Sequence, residues 1–84
     1  MVGDVWRPIP LINYVYEVIV RATKYGERPA KVIDIIVGLE KRAGFRPSYS
    51  ELANVLLRLE TLGYIRVTSS RTFEEYLVEL VRKP

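Results

Sequence analysis

The chain has 84 residues, of which 49% are hydrophobic, so it has enough material for one core and too little for two. It contains no cysteine and no histidine, which excludes disulfides, thiolate metal sites and an imidazole general base. Thirteen basic and ten acidic residues leave a net charge of +3, a mildly basic balance that permits a nucleic-acid partner without requiring one.

An extended N-terminal arm is predicted over residues 1–9, because two prolines restrict the residues before them to extended backbone. A first helix is predicted from about Pro10 to Tyr25, where apolar residues recur at helical spacing. Its last turn carries cations, which suit the helix dipole, and Gly26 is a candidate C-terminal cap.

A second helix is predicted from about Ala30 to Ala43, after the loop "GERP". Its apolar stripe is wide, so we expect it to be the most buried of the helices. The β-branched residues of "KVIDIIVGL" also allow a strand. The helix is preferred because the run continues into "EKRAG", which supplies C-terminal cations and a capping glycine.

The strongest local signal is "SYSE", in which Ser48 and Glu51 stand at the spacing of a helix-capping box. A third helix is therefore predicted to start at Ser48, with leucines at helical spacing on its core face. Gly63 ends it, because glycine takes the left-handed conformation that closes a helix at no Cβ cost. "YIRVT" then alternates as a strand.

The last segment, "SSRTFEEYLVELVRKP", has two interpretations. In one, residues 69–75 are a loop and "YLVELVR" is the returning strand of a hairpin. In the other, Thr72 and Glu75 form a second capping box at the start of a C-terminal helix, which would be a dimerisation element. The hairpin is preferred, because a lone strand after Tyr64 needs a partner.

This order of elements resembles the winged-helix family, a variant of the helix-turn-helix. The segment "SYSELANVLLRLETLGYIRV" is similar to that family's third helix and first wing strand. Its matching positions are Arg58, Leu59, Glu60, Gly63 and Ile65. The chain is also similar in composition to small archaeal winged-helix DNA-binding proteins. The resemblance implies a mainly α domain with a small β-hairpin over residues 10–84, containing three helices and a wing.

Double-stranded DNA is the partner that the resemblance implies, with the third helix in the major groove. The implied DNA-binding residues are Arg46, Ser48, Tyr49, Ser50, Asn54, Arg58, Arg66 and Arg71. Each has a structural alternative. Asn54 also fits a solvated helix surface, and Arg58 fits a helix-surface pair worth about 0.3 kcal/mol. Arg66 and Arg71 could also serve as charged residues that protect the edge of the sheet from aggregation.

The chain departs from the family in two ways: the span between the second and third helices is long, and the third helix's outer face is not basic. Leu57 stands where many DNA-binding relatives carry a polar or basic residue. It favours the alternative function, a protein–protein interaction module within a larger nucleic-acid-processing or other cellular complex. The preferred function is DNA binding, as a small transcriptional regulator or a chromatin-type factor.

Amphipathic aromatic side chains are favoured at interfaces, which makes Trp6 and Tyr16 candidate interface residues. Leu57 is the third candidate, because it is an apolar residue on the outer face of the third helix. Trp6 either folds back onto the first helix or packs, with that helix, against a second copy. The second arrangement gives a homodimer whose symmetry matches two DNA half-sites. The core or half-buried tyrosines are predicted to be Tyr14, Tyr25, Tyr64 and Tyr76.

Catalysis and membrane association are not expected. The carboxylates show no paired arrangement, and no nucleophile motif, phosphate-binding loop or metal cluster occurs, so we expect no enzyme, no metal and no cofactor. No apolar run reaches the ~20 residues that span a bilayer, and "MVGDVWRPIP" lacks the order of a signal peptide. The sequence therefore predicts a cytoplasmic protein.

Overall fold

The structure is a computed structural model that describes residues 10–82, which form three helices and a small three-stranded antiparallel sheet. The predicted arm and Trp6 lie outside the described residues. A 3-10 turn at Phe73–Glu75 precedes the last strand. The elements in chain order are α1 (Leu11–Ala22), β1 (Ala30–Lys31), α2 (Val32–Ala43), α3 (Tyr49–Thr61), β2 (Ile65–Thr68) and β3 (Leu77–Leu80). The expected mainly helical domain is confirmed at this level.

The core lies where the three helices meet one face of the sheet. In α2, Ile36 and its three core neighbours have no exposed surface. Val37, which belongs to the same predicted apolar stripe, is 41% exposed. The buried residues that α1 and α3 contribute are largely the ones that helical spacing predicted. The core side chains are Val15, Val18, Ile19, Val20, Val32, Ile35, Ile36, Leu39, Leu52, Leu56, Leu59, Ile65, Val78 and Leu80.

The sheet has the order β1-β3-β2, with β3 in the centre. Val78 on β3 is fully buried and stands opposite Ala30 on one side and Val67 on the other. The β2–β3 pairing confirms the hairpin interpretation, and the alternative C-terminal helix is wrong. β2 pairs with all of Leu77–Leu80, and β1 pairs with Leu77 and Val78 on the other edge. This pairing outweighs the local capping signal at Thr72.

The first helix ends three residues before the predicted end. The buried Thr23 hydroxyl donates to the Ile19 carbonyl at 2.8 Å, and Lys24 and Tyr25 then take left-handed φ values of 51° and 58°. A side-chain hydroxyl that donates to a carbonyl of its own helix competes with the backbone hydrogen bonds that would extend that helix. As a result Tyr25 is 65% exposed, so its predicted burial is wrong, whereas Tyr14, Tyr64 and Tyr76 are half-buried against the core.

The second helix begins at Val32, because Ala30–Lys31 pairs with β3 as a short strand that the sequence did not predict. The Val32 N–H also donates to the Tyr76 carbonyl at 3.0 Å, which continues this contact into the first helical residue. A strand of two residues is too short to show an alternating apolar and polar pattern, so only its pairing with β3 defines it.

The predicted capping box at the start of α3 is present. The Ser48 hydroxyl accepts from the Glu51 N–H at 3.1 Å, and the Glu51 carboxylate accepts from the Ser48 N–H at 3.0 Å. At the other end of α3, Gly63 has a φ of 84°, and the next N–H, that of Tyr64, donates to the Leu59 carbonyl at 3.0 Å. This closing turn directs the chain into β2.

Candidate functional site

The outward face of α3 gathers several predicted site residues. Tyr49, Ala53 and Leu57 lie at i, i+4 and i+8 and form a line along this face, with Ser50 and Asn54 beside them. All five are exposed, Tyr49 by 46% and Leu57 by 62%. The face therefore offers a phenol, a hydroxyl, an amide and an isobutyl group, and none of the five carries a charge.

The N-terminal end of this face is joined to the 3-10 turn that precedes β3. The Tyr49 hydroxyl donates to the Glu74 carboxylate, and Arg46 Nη2 lies 3.5 Å from the same carboxylate. The Tyr49 ring packs on Phe73, with ring centroids 5.5 Å apart. We call these four residues the Glu74 cluster. The hydrogen bond that the Tyr49 phenol donates to Glu74 raises the pKa of that phenol above its ordinary value.

The four arginines that were predicted to bind DNA differ in their ion pairs with carboxylates. Arg66 Nη1 on β2 lies 3.9 Å from Glu79 Oε1, which is on the directly opposed residue of β3. Arg46 shares the Glu74 carboxylate. Both pairs are exposed, so each is worth only about 0–1 kcal/mol. Within residues 10–82, Arg58 and Arg71 have no carboxylate at ion-pair distance.

The charge on this surface is balanced. The arginines are Arg46, Arg58, Arg66 and Arg71, and the carboxylates that share α3 or contact these arginines are Glu51, Glu60, Glu74 and Glu79. Four positive charges against four negative ones leave no net charge. Glu74 and Glu79 come from other elements, so only the fold places them beside these arginines.

The predicted interface residues do not form one surface. Tyr16 lines a groove of about 510 Å³ between α1 and α3, whose other apolar walls include Ile12, Leu62 and Tyr64. Tyr16 and Tyr64 meet edge to face, with ring centroids 5.4 Å apart. Leu57 is not part of this groove and belongs to the outward face of α3. The predicted homodimer stays a prediction.

A second groove, between α1 and α2, contains charged residues that the sequence had not grouped as a site. It has a volume of about 470 Å³, and its lining includes Arg21, Arg28, Lys41 and Arg42. Lys41 and Arg42 are the cations in the last turn of α2. Arg42 also forms an ion pair with Glu17 of α1.

Comparisons of the chain with protein-family models, with curated proteins and with solved structures gave no match. None of the helices within residues 10–82 is long and apolar enough to cross a membrane. That part of the chain also has no group of three or more acidic side chains arranged to hold a metal ion.

Proposed function

We propose that the chain is a winged-helix protein that binds double-stranded DNA, with α3 in the major groove and the β2–β3 hairpin as the wing. One observation carries the proposal. Tyr49, Ser50 and Asn54 share an exposed face of α3, and the Glu74 cluster attaches the turn before β3 to the N-terminal end of that face. Helix and hairpin are thereby held together as one contact surface.

The outward face of α3 has groups suited to base edges. The major groove is wide enough for an α-helix. Asn54 would pair with adenine through its amide, and Ser50 would bond a base or a phosphate. Leu57 would pack on a thymine methyl, since apolar side chains recognise that group. An uncharged face of this kind favours base contacts over purely electrostatic attachment.

Arginines beside this face would supply the phosphate contacts. Arg58 and Arg71 are the first candidates, because neither has a carboxylate partner within the described residues. Arg46 and Arg66 would each leave a glutamate partner and bind a phosphate instead. Breaking these ion pairs costs little free energy, because exposed pairs are weak. Up to four such contacts would make the affinity fall with salt, with a logarithmic slope of about −3 to −4.

The test is a fluorescence-anisotropy titration of a labelled random-sequence duplex at several salt concentrations. We expect Arg58→Glu and Arg71→Glu each to weaken binding about fivefold to tenfold and to lower the salt slope by about one. Lys24→Glu is the matched control, because Lys24 is exposed, lines neither groove and undergoes the same change of charge. Wild-type affinity in both arginine variants would exclude α3 and the wing as the DNA surface.

A second candidate function is docking of another protein on α3. The exposure of Tyr49 and Leu57 favours it, since the two side chains lie ~12 Å apart along one helix face. In that case the wild-type protein would show no salt-dependent binding to duplex DNA. Leu57→Asp would then abolish a protein contact, whereas in the preferred function it weakens DNA binding.

A further inference from the structure

The groove between α1 and α2 is lined by more cations than carboxylates. Arg21 comes from α1, Arg28 from the connection to β1, and Lys41 and Arg42 from α2, whereas Asp34 is the acidic residue in the lining. With Glu17, which pairs with Arg42, four cations meet two carboxylates there. The α3 face and its arginines, by contrast, combine four cations with four carboxylates. The stronger positive field of the described residues therefore lies beside α1 and α2.

The two helices can bring these cations together because they pack closely at Gly38. A Cβ atom at Gly38 would lie 2.6 Å from Val18 Cγ1 of α1, which is closer than real contacts allow. Glycine inside a helix costs about 1 kcal/mol relative to alanine, so its presence here is explained by the approach of α1. Val18 and Gly38 line the groove together with the four cations.

Most of this charge is not neutralised by ion pairs within residues 10–82. Arg42 is paired with Glu17, and Asp34 accepts a hydrogen bond from the backbone N–H of Lys31 at 3.4 Å. Across the described part of the chain, Arg21, Arg28 and Lys41 have no carboxylate at ion-pair distance. A cleft lined by charges of one sign concentrates the field and attracts an anion.

The chemistry of the lining favours a duplex backbone over other anions of nucleic acid. Arginine and lysine contact phosphates and position a duplex without reading its sequence. Single strands are held by bases stacked on aromatic side chains, and none of the lining residues within 10–82 is aromatic. The groove shares no residue with the outward face of α3, so it is a separate surface.

We propose that the α1–α2 groove binds the phosphate backbone of a second DNA duplex, so that one chain joins two duplex segments. This inference rests on the proposed function, since α3 and the wing hold the first duplex. Arg21, Arg28 and Lys41 make the contacts, and Arg42 joins them by exchanging Glu17 for a phosphate. The groove adds affinity without sequence preference.

The experiment is a capture assay with the full chain, in which one duplex is fixed to beads and a second, fluorescent duplex is free. We expect the wild-type protein to carry the fluorescent duplex onto the beads. Arg21→Glu combined with Lys41→Glu should still bind the fixed duplex but capture at least tenfold less of the free one. The milder pair of glutamine substitutions should give an intermediate loss, and Lys24→Glu should behave as wild type.

The outcomes separate this inference from the proposed function. Unchanged capture by the Arg21→Glu, Lys41→Glu variant, with its fold verified by circular dichroism, would overturn the second surface alone. Loss of all binding in that variant, with Arg58→Glu unaffected, would support the groove as a backbone site and overturn the role of α3. Stabilisation of the wild type by pyrophosphate without any capture would identify a small-anion site and overturn the duplex proposal.

Discussion

The Tyr49 hydroxyl donates a hydrogen bond to the carboxylate of Glu74, a residue 25 positions further along the chain. This contact joins the first turn of α3 to the turn before β3, and Arg46 reaches the same carboxylate. Glu74 therefore links α3 to the turn before β3. In the proposed complex with DNA, Glu74 would compete with a phosphate for Arg46.

The first prediction concerns the titration of Tyr49. Its pKa is raised above the ordinary value of 10.0 chiefly by the hydrogen bond to Glu74. A raised pKa in the folded state means that the contact stabilises the fold fully below pH 10 and is lost as the pH rises further. We expect Glu74→Gln to lower the pKa of Tyr49, measured from the Cζ chemical shift in the carbon-13 NMR spectrum. An unchanged pKa would contradict the hydrogen bond.

The second prediction concerns DNA affinity. Removing the charge of Glu74 frees Arg46 for a phosphate and removes a repulsive carboxylate, so Glu74→Gln should strengthen duplex binding about twofold to tenfold. The increase should be largest at low salt. Glu75→Gln is the matched control, because the neighbouring glutamate is exposed and forms no ion pair within residues 10–82. Equal effects of the two substitutions would show that only net charge matters.

The third prediction concerns the close contact between α1 and α2. Gly38→Ala should destabilise the protein, because crowding against Val18 costs about 1–3 kcal/mol and the gain in helix propensity is only about 1 kcal/mol. Urea denaturation measures the change. In a Val18→Ala background the same substitution should become neutral or stabilising. A stabilising Gly38→Ala in the wild-type background would show that the helices are further apart than described.

The fourth prediction compares two leucines of α3. Leu52 is fully buried, whereas Leu57 is 62% exposed. Leu52→Ala should lower the free energy of unfolding by about 2–5 kcal/mol, and Leu57→Ala should change it by less than about 0.5 kcal/mol. Leu57→Ala should instead weaken DNA binding, through the lost contact with a base. A large stability loss at Leu57 would place that side chain inside an interface.

Helix starts and helical faces could be predicted because they depend on neighbours three or four residues away. The capping box of Ser48 and Glu51 was recognised from its spacing and is present as hydrogen bonds. The family resemblance placed Tyr49, Ser50 and Asn54 on the outward face of α3, and all three are exposed there. Local rules failed where a distant strand competed. Thr72 and Glu75 have capping-box spacing, but the residues after them pair as β3.

Local sequence thus specified the three helices and the turn at Gly63, because the interactions that stabilise a turn of helix are short in sequence. Packing alone determined which charges became neighbours. Glu74 contacts Arg46 only because the turn before β3 docks on α3. Arg21 and Lys41 line the same groove only because Gly38 lets α1 approach α2. Coulomb energy depends on distance in space, and distance in space is a property of the folded chain.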